Sequence, residues 1–324
     1  MSEITGFFLH PFSSLHDTGW GHHEHQGRLR ALATSVGHDL MTLHGHAEQM
    51  EAEDGLEDDL LLVHSQKHIE ELRTVCQLAE QESSIISIDQ DTKVSPQSWK
   101  AALGSVGAAI TAAKAVAEGD IRNAFVATRP PGHHATPSQS MGFCLLNNIA
   151  ITTRWLQREG YADRVLIIDW DVHHGNGTHD TFYRDPKVYF LSLHQYPHYP
   201  GSGSANQRGS EEGEGYTLNV PLPSGISRDD YLQVFDQSLK QVLRDFSPQF
   251  ILISAGFDVM AEDPLGAMLL EPSDLYLMTR RIVEDAVIEC DGKVVALLEG
   301  GYNPPRLGEG VVAVIRGLAG LKQP

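Results

Sequence analysis

Asp169-Trp170-Asp171-Val172-His173-His174-Gly175-Asn176-Gly177 follows directly on Val165-Leu166-Ile167-Ile168, and this junction decides how the chain is built. The apolar run is too short for a lone helix and rich in β-branched residues, so it reads as a buried parallel strand. Along extended backbone, residues two apart share a face, which predicts that Asp169, Asp171 and His173 point the same way. Two carboxylates and an imidazole at a strand's end are donors able to offset the desolvation of a divalent cation. A solitary D-x-H also arises by chance, and a solvated glycine turn would look the same. The rest of the chain has to decide.

Three other apolar runs end in the same manner. Ala124-Phe125-Val126-Ala127 leads into Thr128-Arg129-Pro130-Pro131-Gly132-His133-His134-Ala135, the run 250–254 into Ala255-Gly256-Phe257-Asp258, and the run 293–298 into Glu299-Gly300-Gly301-Tyr302. Further strands are expected at 7–9, 187–194 and 216–220. Helical periods begin at Arg28 (Leu29, Leu32, Val36) and cover 60–78. An Ala-rich helix is expected over Ser98–Glu118, where Gly104 and Gly107 suggest close helix packing. More helix runs through Asn147, Ile151 and Trp155, after the capping-box spacing of Ser227-Arg228-Asp229-Asp230, and over 273–290. Residues 48–59 read as acidic and solvated, and 195–214 as irregular. This alternation predicts a doubly wound α/β fold, a mostly parallel central sheet flanked by helices on both faces. Such sheets bind ligands where the carboxyl ends of their strands converge. One rule thus gathers His133, His134, Asp169, Asp171, His173, Asp258 and Tyr302.

Composition narrows the class of protein. No Pro/Ser-rich linker, charge block or repeat interrupts the 324 residues, which predicts a single domain over 1–324. A net charge of −19, from 24 basic and 43 acidic residues, repels phosphate backbones and argues against a nucleic-acid partner. Cys76, Cys144 and Cys290 are odd in number and widely spaced, which fits a reducing cytoplasm rather than a disulfide framework. Residues 1–10 carry Glu3 and no Lys or Arg, unlike a secretory signal, and no apolar run is long enough to span a bilayer. Among 17 histidines, His16, His22, His23 and His25 cluster, but their spacing matches no zinc template; the segment 16–25 reads as a loop or cleft rim.

Asp171, His173 and Asp258 would supply three metal ligands and leave positions open, as catalytic zinc sites do. His133 and His134 bring imidazoles suited to general base and acid work. A phenol such as Tyr302 can donate to an oxyanion without adding charge. Metal, water, base and oxyanion donor together describe amide or ester hydrolysis.

The stretches Arg129-Pro130-Pro131-Gly132-His133-His134-Ala135, Asp169 through Thr178, Ala255-Gly256-Phe257-Asp258 and Glu299-Gly300-Gly301-Tyr302-Asn303 resemble, in order and over nearly the whole chain, the signatures of the zinc-dependent histone deacetylase superfamily. Trp170, Asn176 and Phe257 resemble its class II branch and bacterial relatives. The resemblance implies an arginase-like α/β fold and one zinc per chain held by Asp171, His173 and Asp258. It makes His134 the general base and acid, His133 its electrostatic partner, Asp169 the carboxylate orienting His133, and Asn176 the group behind His134. Tyr302 becomes the transition-state phenol. Gly142, Phe143, Tyr199, Leu265 and Gly300 are implied in substrate binding, with Arg28 lining a pocket behind the metal. Structural K⁺ or Na⁺ is implied at Asp169, Asp171, His173, Ser192 and Leu193, and again near Phe182, Asp185, Val188 and Tyr216.

The implied substrate is N-ε-acetyl-lysine, or another short acyl-lysine, in proteins or peptides. Polyamine-selective relatives often carry a glutamate where this chain has Leu265, so small acetylated amines are the second reading. A weakly active acyl-lysine-binding protein is the third, against which the presence of Tyr302 counts. Zinc or iron(II), and a monomer or a homo-oligomer, fit the sequence equally.

Overall fold

The structure is a computed structural model that describes residues 3–323; Met1, Ser2 and Pro324, which the expected domain 1–324 and the reading of the first ten residues include, lie outside the described residues. In chain order the strands are β1 (Thr5–Phe8), β2 (Ala47–Met50), β3 (Ile86–Ser87), β4 (Lys93–Val94), β5 (Asn123–Val126), β6 (Val165–Asp169), β7 (Val188–Gln195), β8 (Thr217–Leu222), β9 (Phe250–Ala255) and β10 (Val294–Leu298). The α-helices are α1 (Gly27–His38), α2 (Leu40–Leu43), α3 (Glu57–Leu60), α4 (Gln66–Glu82), α5 (Ser98–Glu118), α6 (Asn148–Arg158), α7 (Asn176–Phe182), α8 (Arg228–Asp245), α9 (Pro272–Cys290) and α10 (Pro304–Ala319).

Eight strands form one sheet in the order β2-β1-β5-β10-β9-β6-β7-β8, and every pairing in it is parallel. The short β3 and β4 pair separately and antiparallel. Alternation along each strand divides the core in two. Val165 and Ile167 of β6 pack with Ala109 and Ala112 of α5 and Ile149 of α6. Leu166 and Ile168 face the other way, into a cluster with Leu32 of α1, Phe235 of α8, Ile282 of α9 and Val311 of α10. Each of these four β6 side chains is fully buried, and such burial contributes about 1.5–3 kcal/mol apiece. The predicted two-faced α/β architecture is therefore present.

Three details depart from the sequence reading. The helix expected over 60–78 begins only at Gln66, because Ser65 Oγ accepts the His68 N–H as an N-cap and 61–64 form a turn. The acidic stretch 48–59 is mostly solvated, yet Ala47–Met50 forms the edge strand β2 beside β1. Its continuation presses on α5: a Cβ at Gly107 would lie 2.1 Å from Glu53 O and 2.3 Å from Gly55 N, so that glycine packs closely against irregular backbone rather than the helix expected. Finally, α10 covers the sheet where no element was assigned. Among the described residues no helix is long and apolar enough to cross a membrane.

Candidate active site

β5, β10, β9 and β6 are neighbours at the middle of the sheet, so their carboxyl ends open on one crevice. β6 stops at Asp169, and the alternation argument stops with it. Beyond that point Trp170 N still donates to Ser254 O of β9 at 3.2 Å, and then the backbone turns and carboxylates accept the next three N–H groups. Asp171 N donates to Asp169 Oδ1 (3.1 Å), Val172 N to Asp258 Oδ1 (3.0 Å) and His173 N to Asp171 Oδ1 (2.9 Å). Trp170 is fully buried, and its indole donates to Gly256 O at 3.0 Å, which anchors the turn to the end of β9. Asp169 Oδ2 meets His133 Nδ1 at 3.0 Å, while Asp171 Oδ1 stands 3.9 Å from the other nitrogen of that ring.

Asp171, His173 and Asp258 are the group of potential metal-binding side chains among the described residues, with ligand atoms all within 4.8 Å of one another and all three residues buried. Asp258 Oδ2 is buried without a hydrogen bond. Burial, and then the neighbouring Asp171 carboxylate, push Asp258 up to about 7. Two adjacent interior carboxylates, one with an oxygen left over, suit a divalent cation. Glycine lets the backbone close around them. Gly300 N donates to Asp171 Oδ2 at 2.8 Å, and a Cβ at Gly300 would stand 1.9 Å from Asp258 Oδ2. Gly300, expected at the substrate, thus lies directly against the candidate ligands.

The adjacent histidines sit in opposed electrostatic settings, with ring centroids 4.0 Å apart. His133 Nδ1 meets Asp169 Oδ2 at 3.0 Å. Burial works against its charge, but Asp169, Asp171 and Glu299 outweigh burial and raise it to about 10. His134 is driven the other way, first by burial and then by the positive His133 and His173. Its Nδ1 lies 2.7 Å from Asn176 Oδ1, an atom that only accepts, so the proton sits on Nδ1 and Nε2 keeps its lone pair. Paired titratable groups pushed apart in this way mark acid and base assignments.

Tyr302 is buried, and its backbone N–H donates to Asp263 Oδ2 at 2.7 Å. Burial, followed by the Asp258 charge, holds the phenol well above its usual range, so it stays a donor. Arg28 lies beneath it, 5.0 Å from the ring centroid, donating to Gly301 O (2.7 Å), Glu299 O (2.6 Å) and Glu24 Oε1 (3.0 Å).

These groups close the inner end of a cavity of about 210 Å³ lined by Asp91, His134, Gly142, Phe143, His173, His198, Tyr199, Leu265 and Tyr302. Phe143 stands edge-on to Tyr302 at 5.6 Å, and Tyr199 edge-on to His134 at 5.2 Å. Phe143 has φ 67°, a left-handed conformation that costs a non-glycine residue energy. A larger hollow of about 510 Å³, lined among others by Ser35, His38, Glu271 and Glu309, lacks such convergent chemistry.

The histidine-rich segment 16–25 does reach the rim. His22 is 4.7 Å from Phe143, and His23 is 6.5 Å from Tyr302. It is not all loop surface, because Glu24 is fully buried between Arg28 and Arg129. Of the residues implied at the first monovalent-cation site, Ser192 Oγ lies 2.9 Å from His194 Nδ1 and Asp169 Oδ1 accepts from Asp171 N, while Leu193 continues β7. At the second, Asp185 N donates to Phe182 O (3.0 Å), Val188 N to Asp185 O (3.4 Å) and Phe190 N to Tyr216 O (2.9 Å). Sequence reasoning missed Asp91 and His198 at the cavity, and Glu24, Asp263 and Glu299 behind it. The last three stood inside stretches read for other residues: Glu24 among the histidines of 16–25, Asp263 beside Leu265, and Glu299 before Tyr302.

The histone deacetylase domain model matches residues 22–318. The chain is 37% identical to a probable deacetylase of Archaeoglobus fulgidus, covering 99% of this chain and 89% of that one. It is 35% identical to a histone deacetylase-like amidohydrolase of Pseudomonas aeruginosa, over 93% of this chain and 78% of the relative. The crystal structure of the HDA15 HD domain superposes with a TM-score of 0.91 at 34% identity, covering 99% of this chain and 89% of that one.

Proposed function

The chain belongs to the histone deacetylase family, an arginase/deacetylase-type fold, and from that membership we propose that it is a metal-dependent amidohydrolase removing acetyl or other short acyl groups from N-ε-acyl-lysine. The observation that carries this reading is the buried Asp171–His173–Asp258 trio facing His134 and Tyr302 at the closed end of an aromatic-walled cavity.

The family is generally zinc-dependent, and these residues fit such an ion: their donors converge, and Asp258 Oδ2 is buried with no hydrogen bond, His173 Nδ1 standing 3.3 Å from it. A divalent metal held there would supply Lewis acidity, polarising the scissile carbonyl and water. The chain's own groups do the rest. His134 Nε2 accepts a proton from the attacking water and returns it to the departing lysine amine, so that water and amide become acetate and amine. Asn176 keeps that imidazole in the required tautomer. His133, held as imidazolium by Asp169, adds positive charge near the developing oxyanion, and Tyr302 donates its hydroxyl to that oxygen. Phe143, Gly142 and Tyr199 would clasp the acyl-lysine stem and exclude water.

Leu265 gives the mouth an apolar group where an ammonium would need a carboxylate, which favours lysine in a peptide over a free amine. Asp91 at the same mouth keeps acetylated polyamines as the second reading. We take the whole chain as one catalytic domain, with monovalent cations at the two implied sites. Its cysteines, Cys76, Cys144 and Cys290, are free and buried, in keeping with a reducing cytoplasm. Turnover of an acetyl-lysine peptide and of acetylspermidine, each with and without a chelator, tests the reading. Chelator-sensitive hydrolysis favouring the peptide supports it, and preference for acetylspermidine overturns the choice of substrate.

A further inference from the structure

We propose that Glu299 is a positioning residue, whose buried carboxylate fixes the loop bearing His133 and His134 against the loop bearing Tyr302; the proposal rests on the deacylase reading above. The sheet itself cannot do this. The β5–β10 ladder registers Val295 with Ala124, Ala296 with Phe125 and Leu297 with Val126, and ends there. Past that point the two strands diverge into the loops that carry the base and the phenol, and side chains take over. Thr128 Oγ1 donates to Leu298 O at 2.6 Å. One residue on, Glu299 Oε2 accepts from Gly132 N at 2.7 Å and from His133 N at 3.1 Å. Two consecutive backbone N–H groups in the interior need an acceptor, and this single oxygen serves both.

Glu299 is itself held from three directions. Its Oε1 accepts from Ser254 Oγ (3.1 Å), its backbone N–H donates to Ala255 O (3.0 Å), and its carbonyl accepts from Arg28 (2.6 Å). The next residue, Gly300, donates to Asp171. The carboxylate is therefore a strut between the tandem-histidine loop and the ends of β9 and β10. It sets where His134 stands relative to Tyr302 while touching neither cavity nor substrate. Catalytic groups misplaced by about an ångström can cost a hundredfold in rate, so a strut of fixed length has kinetic consequences.

Two substitutions separate reach from charge, which also acts here because the Glu299 carboxylate helps hold His133 protonated. Glu299→Gln keeps the length, offers an oxygen to Gly132 and His133, and can donate to Ser254. Glu299→Asp keeps the charge but is one methylene short. With metal-loaded enzyme, assayed below the melting range of each variant, Glu299→Gln should lose less kcat than Glu299→Asp does. Glu299→Asp should lose about tenfold or more in kcat, with KM and metal content within about twofold. Amide hydrogen exchange at Gly132 and His133 supplies a readout that needs no turnover: it should be slow in wild type and Glu299→Gln, and about tenfold faster in Glu299→Asp. Should Glu299→Asp not fold, Ser254→Ala frees one carboxylate oxygen more gently and should lower kcat about twofold to fivefold at constant KM. Full activity of Glu299→Asp, equal losses in both Glu299 variants, or a loss seated in KM or metal content overturns the proposal, as does a fully active Ser254→Ala beside an unfolded Glu299→Asp. A wild type that hydrolyses no acyl-lysine substrate defeats the deacylase reading instead, and the exchange data still test the strut.

Discussion

His134 and Asn176 are joined by a 2.7 Å hydrogen bond in which the imidazole is the donor and a neutral amide the acceptor. The amide fixes the tautomer without lending negative charge, while burial and the neighbouring cations keep His134 neutral. A carboxylate in its place would stabilise the imidazolium. Asn176→Asp should therefore raise the basicity of His134 and move the acidic limb of the kcat/KM profile upward by about one pH unit or more. An unshifted limb would mean that His134 is not the group titrating there.

The Tyr302 phenol is held protonated in the closed end of the cavity, where the proposed mechanism uses it as an oxyanion donor. Tyr302→Phe should lower kcat by roughly a hundredfold or more, the range for losing one such donor, and leave metal content unchanged. Turnover close to wild type would remove Tyr302 from the mechanism.

Leu265 presents its side chain from a backbone pinned on both sides: its N–H donates to Asp263 Oδ1 at 2.9 Å, and its carbonyl meets His198 Nε2 at 2.8 Å. Leu265→Glu should accordingly change the chemistry of the mouth without moving it. Comparing kcat/KM for acetylspermidine and an acetyl-lysine peptide at fixed ionic strength, the ratio should shift toward the polyamine by about one to two decades. An unmoved ratio would show that residue 265 is not the selector.

Away from the site, His64 links two segments: Nδ1 lies 3.0 Å from Thr136 O, and Nε2 accepts the Asn147 N–H at 2.9 Å. Burial, with His68 beside it, lowers its pKa from 6.5 to about 3. The folded value is depressed, so the neutral ring's contribution is complete above pH 6.5 and is lost as pH falls toward 3, by up to about 1.4 kcal/mol per pH unit. Urea unfolding of His64→Gln should lose stability less steeply between about pH 6 and pH 5 than wild type does, by about 1 kcal/mol per unit. Equal slopes would mean that His64 is not buried as a neutral ring.

The strands that end at the site were legible because apolar runs such as 165–168 and 250–254 are unambiguous, and a topological rule then brings their ends together. Elements built from weaker patterns were not. Ala47–Met50 is polar because it is an edge strand. α10 carries Gly308 and Gly310, poor helix formers, where Ser35, Phe257 and Met260 approach closely. The buried pair of Glu24 and Arg129 joins residues 105 positions apart, which no local spacing announces. The turn after Asp169 departs from extended backbone because the nearby Asp169 and Asp171 carboxylates and the distant Asp258 carboxylate accept its N–H groups.

The central claim is that Asp171, His173 and Asp258 hold the divalent metal on which acyl-lysine hydrolysis depends, and metal content measured together with turnover tests it most directly. Wild type should carry about one equivalent per chain and lose metal and hydrolysis together on chelation, with zinc restoring both, whereas Asp171→Ala should have neither. An Asp171→Ala protein retaining a full equivalent at this site, or a wild type that still turns over after its metal is removed, would contradict the account.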